Sequence, residues 1–420
     1  MLLEFSVGNF RSIRDIESIS FVASSVVSKN KEVDTTNVFQ ATDKLRVLKT
    51  LAIYGANASG KSNFIKALNI FSYFIKGSLT DSDAIETLNQ FYLLSTETIN
   101  KPTFFQAFFI IDGIVYRYGF EISEQEVVSE WLFGTPKSRE ICFFTREFQK
   151  LDINKKQFKE GYKLQHLLEN GNPIFRKNAL LISTLATFNG EISQKIQSLF
   201  NELTIIVGLS DPMIRKSIDK RIHIDNHLLE QTLNMLKYAD TGIDSLIPHK
   251  YNKDIKKEQE DNSRILVSHK QFNAEFNAIE RPILLDLDAH ESEGTLKLYE
   301  LSPFIYKALE QGTALIIDEF DARLHPRISK KIIEIFNDPR TNPKNAQLLV
   351  VTHDTNLLSA NLFRRDQILF VEKDKYGASH LYSLAEFKGV RNDASFESNY
   401  LMGRYGAVPF LNNLNSVFAN

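Results

Sequence analysis

Eight consecutive residues, Gly55-Ala56-Asn57-Ala58-Ser59-Gly60-Lys61-Ser62, set two glycines, a lysine and a hydroxyl at the spacing of a phosphate-binding (Walker A) loop. Glycines let the backbone curl until several N–H groups face one anion, and a helix starting at the end of the loop adds its positive dipole end. Lys61 is then placed to reach the β- and γ-phosphates of ATP and Ser62 to bind Mg²⁺, with the amides from Gly55 to Asn63 around the phosphates. The competing reading is a glycine turn before a surface lysine. The flanks oppose it: the mostly apolar "LRVLKTLAIYG" reads as a buried central strand ending at Gly55. Phe64, Leu68, Phe71 and Ile75 then recur at helical spacing up to Gly77, the expected C′ residue.

A triphosphate site needs a metal-holding acid and a base for water. "TALIIDEFD" supplies both, with Ala314 to Ile317 running into Asp318 and Glu319. Asp318 is the candidate Mg²⁺ partner, directly or through water, and Glu319 the group that orients and deprotonates the attacking water. A strand ending in a solvated acidic turn fits the same residues when they are read alone. "AQLLVVTHD" is a second apolar run, ending at His353, a candidate contact to the γ-phosphate. Ser292-Glu293-Gly294-Thr295 opens an amphipathic helix. This stretch resembles the ABC signature, which implies that Ser292 and Gly294 close on a nucleotide held by another subunit, although a plain helix cap explains them by themselves. Arg11 follows Asn9-Phe10 at the end of the first strand, beside a nucleotide or simply at the surface.

Composition sets the background. A chain of 420 residues holds about two or three domain-sized units. A net charge of -2 excludes a generally basic nucleic-acid coat, though not a local patch such as Arg215 to His223. The single cysteine, Cys142, allows neither an internal disulfide nor a cysteine-based metal cluster. No apolar run reaches membrane-spanning length and the start resembles no secretory signal, so the expectation is a cytoplasmic protein without membrane contact. The 32 phenylalanines are scattered, which suits core filling.

The elements that must hold these residues alternate along the chain. "LLEFSVGNF" reads as a strand that "SISFVAS" can pair with. Asp112-Gly113 between two apolar segments marks a two-residue hairpin, and "VVSEWLFG", "ICFFTREF" and "QKLDINKKQF" extend it as a meander. From Asn178 to Lys237 the pattern turns helical. "KDIKKEQEDNS" is a charged loop or hairpin tip, and an α/β block from Ile283 to Leu384 ends in one hairpin, "QILFVEKDKYGASHLYSL".

These motifs, in this order, resemble the ABC-type ATPases of the AAA family known as RloA/AbiL-type in bacterial abortive-infection systems. "LLEFSVGNFRSI", "IVYRYGFEI", "LLISTLATFN" and the tail "NYLMGRYGAVPFL" carry the likeness beside the nucleotide motifs. "ARLHPR", after the acidic strand, looks like the "LHP" segment of RecF- and OLD-type ATPases. The resemblance implies an α/β, ABC/RecF-like P-loop ATPase head with an antiparallel β lobe and an inserted, mostly helical subdomain. The expected divisions are 1–137 for the N-terminal lobe, 138–280 for the insertion, 281–385 for the C-terminal lobe and 386–420 for the tail. It further implies homo-oligomers meeting through their heads around ATP and Mg²⁺, and antiphage action through a separate effector, a nuclease of RloB-like or TOPRIM type. The trigger would be DNA or a phage protein. A RecF/SMC-like DNA-repair ATPase is the alternative, and a transporter ATPase a third reading disfavoured by the "LHP" segment. The chain departs from the signature pattern, since Glu291 and Glu293 replace its leading Leu and second Gly. Gln90, Gln106 and Asn189 compete for the Q-loop position, and no TOPRIM-like acidic block follows His353.

Overall fold

The computed structural model describes residues 1–79, 85, 90–168, 176–208, 212–250, 263–389 and 395–409. The charged stretch from Lys253 to Asn262 and the last two residues of the "NYLMGRYGAVPFL" segment lie outside these residues. Two sheets organise the chain. The larger is antiparallel with seven strands, in the order Lys150–Ile153, Ile141–Glu147, Val127–Thr135, Ile114–Ile122, Thr103–Ile111, Leu2–Gly8, Glu17–Ser20. Asp112 and Gly113 both adopt positive φ, 51° and 77°, as a two-residue primed turn needs, and Ile111 pairs with Ile114 across it.

The second sheet has the order Thr204–Ile206, Ala314–Ile317, Gln347–Val351, Thr50–Tyr54, Ile368–Lys373, Ser379–Ser383. All its pairings are parallel except the last. The central strands are buried on both faces, which explains their continuous apolar sequences. In-register pairs such as Ile317 with Val350 and Val351 with Ile53 bring the C-terminal ends of three strands to one edge. Ligands of open α/β sheets gather at that edge.

The helix Lys61–Gly77 lies between the sheets and explains much of the phenylalanine content. Phe71 sits 5.5 Å from Phe5, stacks on Phe120 at 5.3 Å and meets Phe200 edge-on at 5.1 Å. Gly77 is the last helical residue rather than C′. Ser78 ends the helix, because its hydroxyl accepts from Leu180 N at 3.1 Å and its carbonyl from Arg176. A tertiary contact does what the glycine was expected to do.

The expected helical insertion differs in content from its sequence reading. Ile141–Glu147 and Lys150–Ile153 complete the antiparallel sheet, and Thr204–Ile206 adds an edge to the parallel one. Helices occupy Lys159–Leu168, Leu181–Thr187, Glu191–Glu202, Pro212–Ile222 and Asn226–Tyr238, after which Ser245–Lys250, Ser263–Phe272 and Ala278–Asp286 form a separate three-stranded sheet. The meander read from "ICFFTREF" and "QKLDINKKQF" thus runs past residue 138, and the helices begin only after it.

Buried polar nodes lock the layers. Glu130 accepts from Leu181 N at 2.7 Å, Ile182 N at 3.1 Å, Tyr118 Oη at 2.9 Å and Arg146 Nη1 at 3.2 Å. It thereby caps the helix Leu181–Thr187, whose own N-cap residue, Leu180, offers no side-chain acceptor. Arg146 also donates to the carbonyls of Phe148 and Ala179, each at 2.6 Å, so both buried charges are hydrogen-bonded. Breaking such a pair leaves an unpaired charge in the core, so Glu130→Ala should lower the unfolding free energy by about 3–5 kcal/mol. A urea melt checks this, and an unchanged midpoint would show that the node contributes nothing.

Candidate nucleotide-binding site

The strand Thr50–Tyr54 delivers the phosphate loop, and two glycines make its path feasible. A Cβ at Gly55 would lie 2.3 Å from Val371 O, and one at Gly60 would lie 2.1 Å from Ser379 Oγ. Gly60 also carries φ 108° as the N-cap of the helix that starts at Lys61. Ser379 braces the loop from behind: its hydroxyl donates to Ser59 O at 2.6 Å and meets Ser12 Oγ at 2.7 Å. Ser12 in turn accepts from Asn63 Nδ2 at 2.7 Å. Asn57 and Ala58 form the exposed crest of the loop, Ala56 and Ser62 are half-buried, and Ser59 is buried.

Lys61 is 6 % exposed, and its ammonium donates to Gly55 O and Ala56 O, each at 2.9 Å. Burial lowers its pKa to about 8, partly opposed by the fields of Asp318 and Asp321. Among the described residues, the hydrogen-bond partners of this desolvated cation are neutral carbonyls. Ser59 Oγ is buried with no hydrogen-bond partner among the described residues. An orphaned hydroxyl and an under-neutralised ammonium in one cradle of backbone amides suit a phosphate chain. The hydroxyl of Ser62 and the carboxylate of Asp318 form a hard oxygen set that suits Mg²⁺.

The strand Ala314–Ile317 ends in Asp318, 2 % exposed, whose Oδ1 accepts from Glu319 N at 3.1 Å. Glu319 then turns out at φ 52°, and Phe320 N donates to Val351 O at 2.9 Å. Non-glycine residues in the left-handed region recur around the site: Arg11 at 50°, Ala58 at 62° and Arg323 at 68°. Strain of this kind persists only where surrounding contacts over-determine it. Asp321, which the sequence did not single out, joins the acidic turn to the His353 loop by accepting from His353 N at 3.0 Å. Its signal was present in the fourth letter of "DEFD". The His353 ring lies toward solvent, yet nearby atoms lower its pKa by desolvation, with the Lys61 cation adding to the effect.

Arg11 lies on the other flank of the P-loop helix. Its backbone N donates to Gln90 O at 2.6 Å and its Nε to Gln90 Oε1, and with Asn63, Gln90 and Phe91 it lines a cleft. Gln90 is thus the Q-loop candidate beside the site. Gln106 instead accepts from Trp131 Nε1 on the antiparallel sheet, and Asn189 from Gln194 in a helix connection.

Ser292 and Gly294 make their contacts elsewhere. Ser292 caps the helix Glu293–Gln311 by accepting from Thr295 N at 3.2 Å. A Cβ on Gly294 would lie 2.7 Å from Arg323 O, and Arg323 pairs with Glu293. The segment therefore leans on the loop after Glu319, not on the Gly55–Ser62 loop of the same chain. His325 of "LHP" starts the next helix: its Nδ1 accepts from Arg327 N at 3.2 Å, with Pro326 in the first turn.

The late hairpin and the tail are tied to each other. Glu372 Oε2 accepts from Ala407 N at 2.8 Å and from Tyr382 Oη at 3.1 Å. Asp374 closes its turn by accepting from Tyr376 N and Ala378 N, each at 2.8 Å. Tyr400 stacks on Phe370 at 5.4 Å and Tyr405 on the same ring at 5.8 Å.

The family model described as "AAA domain, putative AbiEii toxin, Type IV TA system" matches residues 51–359, from the P-loop strand to just past the His353 loop. No curated protein matches. Among solved structures, that of an SMC head bound to the C-winged helix domain of ScpA superposes with a TM-score of 0.44 at 14 % identity, over 91 % of this chain and 97 % of that chain. With the family model covering well over half its length, the chain belongs to this AAA-domain family.

Proposed function

We propose that the protein binds and hydrolyses ATP with Mg²⁺ and uses that cycle as a switch in bacterial antiphage defence. The observation that carries the reading is the convergence of the Gly55–Ser62 loop, Asp318-Glu319 and His353 on one edge of a parallel sheet, joined by the Asp321–His353 hydrogen bond. In this reading the loop amides and Lys61 bind the β- and γ-phosphates, while Ser62 and Asp318 hold Mg²⁺, which neutralises charge on the phosphates. Glu319 orients and deprotonates the water, His353 meets the γ-phosphate and Arg11 flanks the nucleotide. Ser292 and Gly294 face away from their own phosphate loop, which suits action in trans on a second copy. Phosphoryl transfer to water then rests on positioning and charge neutralisation.

The description of the matched family names a putative toxin of a type IV toxin–antitoxin system, which fits a two-gene arrangement, and the reading places nuclease chemistry in a separate effector. The carboxylates that might have formed a nuclease centre in the late hairpin, Glu372 and Asp374, are occupied by the tail and the turn. The DNA-repair alternative draws little from the basic segment, because Arg215 is committed to Asp288 at 2.7 Å and Glu300 at 2.6 Å.

Lys61→Ala should weaken ATP binding about ten- to a hundredfold, the loss matching a charged hydrogen bond of about 1.5–3 kcal/mol. In the wild type, affinity should hold below the Lys61 pKa of about 8 and fall up to about tenfold per pH unit above it, as the cation is lost. Calorimetric titrations from pH 6.5 to 9.5 read both effects, and equal affinity in wild type and variant would remove Lys61 from the site. Glu319→Gln should bind ATP normally but turn over about 10²–10⁴-fold more slowly, and accumulate an associated, ATP-bound form visible by light scattering. Persistent turnover with no mass change would dismiss Glu319 as the base. The purified chain with Mg²⁺ or Mn²⁺ should leave DNA and RNA intact. Cleavage that survives Lys61→Ala and disappears in Glu372→Ala would make the chain its own effector.

A further inference from the structure

The loop that follows the strand Gln347–Val351 carries His353, Asp354 and Thr355, and it is held from three directions. Asp321 accepts from His353 N at 3.0 Å on the side of the acidic turn. Tyr54, the residue before Gly55, donates its hydroxyl to Asp354 O at 3.3 Å. The third hold comes from far along the chain: Thr355 Oγ1 donates to Glu397 Oε1 at 2.9 Å, and Glu397 lies in the tail helix Phe396–Leu401.

The same tail grips the other elements of the site. Tyr400 meets the Tyr54 ring edge-on at 6.0 Å and stacks on Phe370, in the strand paired with Thr50–Tyr54. Ala407 N reaches Glu372, the neighbour of the Val371 whose carbonyl abuts Gly55. Gly406, at φ 67°, leaves room for this approach, since a Cβ there would lie 2.5 Å from Glu372 Oε2. One short segment, 395–409, thus touches the base of the phosphate loop, the strand beside it and the loop that bears His353.

We propose that the segment 395–409 is a positioning element for His353, with the Thr355–Glu397 hydrogen bond as its working contact, so that the nucleotide state and the tail constrain each other. The inference rests on the ATPase reading above. If His353 engages the γ-phosphate, its loop must hold one geometry, and a loop misplaced by about 1 Å can cost about a hundredfold in rate. By linkage, a nucleotide that fixes the His353 loop also fixes the tail that holds it. Glu397 and Thr355 act through His353 and touch no substrate.

Three measurements on the full chain test this. Calorimetry establishes that a non-hydrolysable ATP analogue with Mg²⁺ binds the wild type. Amide hydrogen exchange should then slow across 395–409 when the analogue is present, and not in Lys61→Ala. Steady-state kinetics of Glu397→Ala and Thr355→Val should show kcat lowered roughly tenfold with KM unchanged, at a melting temperature near that of the wild type. Glu397→Gln and Thr355→Ser, which keep an acceptor and a donor, should recover most of the loss. Analogue binding with unaltered exchange in the tail overturns the proposal, as does wild-type kcat in Glu397→Ala. So does a loss of rate that follows the melting temperature and is not rescued by Glu397→Gln. An analogue that fails to bind the wild type at all overturns the ATPase reading itself, a result distinct from the others because it precedes any effect in the tail.

Discussion

The structure depends on how closely the late hairpin presses against the phosphate loop. Val371 O leaves no space for a Cβ at Gly55, and Ser379 and Ser12 leave none at Gly60. Ser379 also donates to Ser59 O, so the loop is shaped from outside as well as by its own glycines. The strand Ile368–Lys373 and its return Ser379–Ser383 are therefore part of the nucleotide site in the mechanical sense, although neither carries a recognisable nucleotide motif.

Around that contact the chain closes through buried polar nodes rather than through apolar packing alone. Glu130 and Arg146 tie the antiparallel sheet to the helix Leu181–Thr187. Arg364 does the same for the start and end of the chain, pairing with Asp366 at 2.9 Å and reaching Asp34, Ser24 O and Val26 O. Such nodes are costly to desolvate and costly to break, so they specify one arrangement where apolar surfaces could slide. The tail adds a third closure, built of aromatic stacking on Phe370 and of hydrogen bonds to Glu372 and Thr355. The second and third closures bring sequence-distant segments against the parallel sheet.

The acidic turn shows how the site is assembled from neighbours. Asp318 is buried at a strand end, Glu319 is thrown outward by a left-handed backbone, and Asp321 returns to hold the backbone of His353. Three consecutive roles within four residues require that the strands on either side stay in register, which the parallel pairing of Ile317 with Val350 maintains. The segment Ser292–Gly294 is drawn toward this turn through Arg323, which pairs with Glu293 and whose carbonyl leaves no space for a Cβ at Gly294.

What the sequence by itself determined is the local chemistry. The glycine, lysine and serine spacing at 55–62, the polar ends of apolar runs at Asp318 and His353, and the Asp112-Gly113 turn follow from short-range rules of backbone freedom and periodicity. The helical cap at Ser292 was legible for the same reason, as one of two readings. Tertiary structure alone decided the rest. That Gln90, unlike Gln106 and Asn189, lies beside Arg11 and the P-loop helix could not be read from spacing. Ser78 displaced Gly77 as helix terminator because a loop about a hundred residues away in sequence supplied its partners. The strands Ile141–Glu147 and Lys150–Ile153 were legible as a continuing meander, but their place at the edge of the large sheet was not. Asp321, Ser379, Glu372 and Glu397 gain their meaning only from partners separated by tens to hundreds of residues. No periodicity or spacing within a segment encodes such contacts. They arise when parallel strands from distant parts of the chain are brought to a common edge.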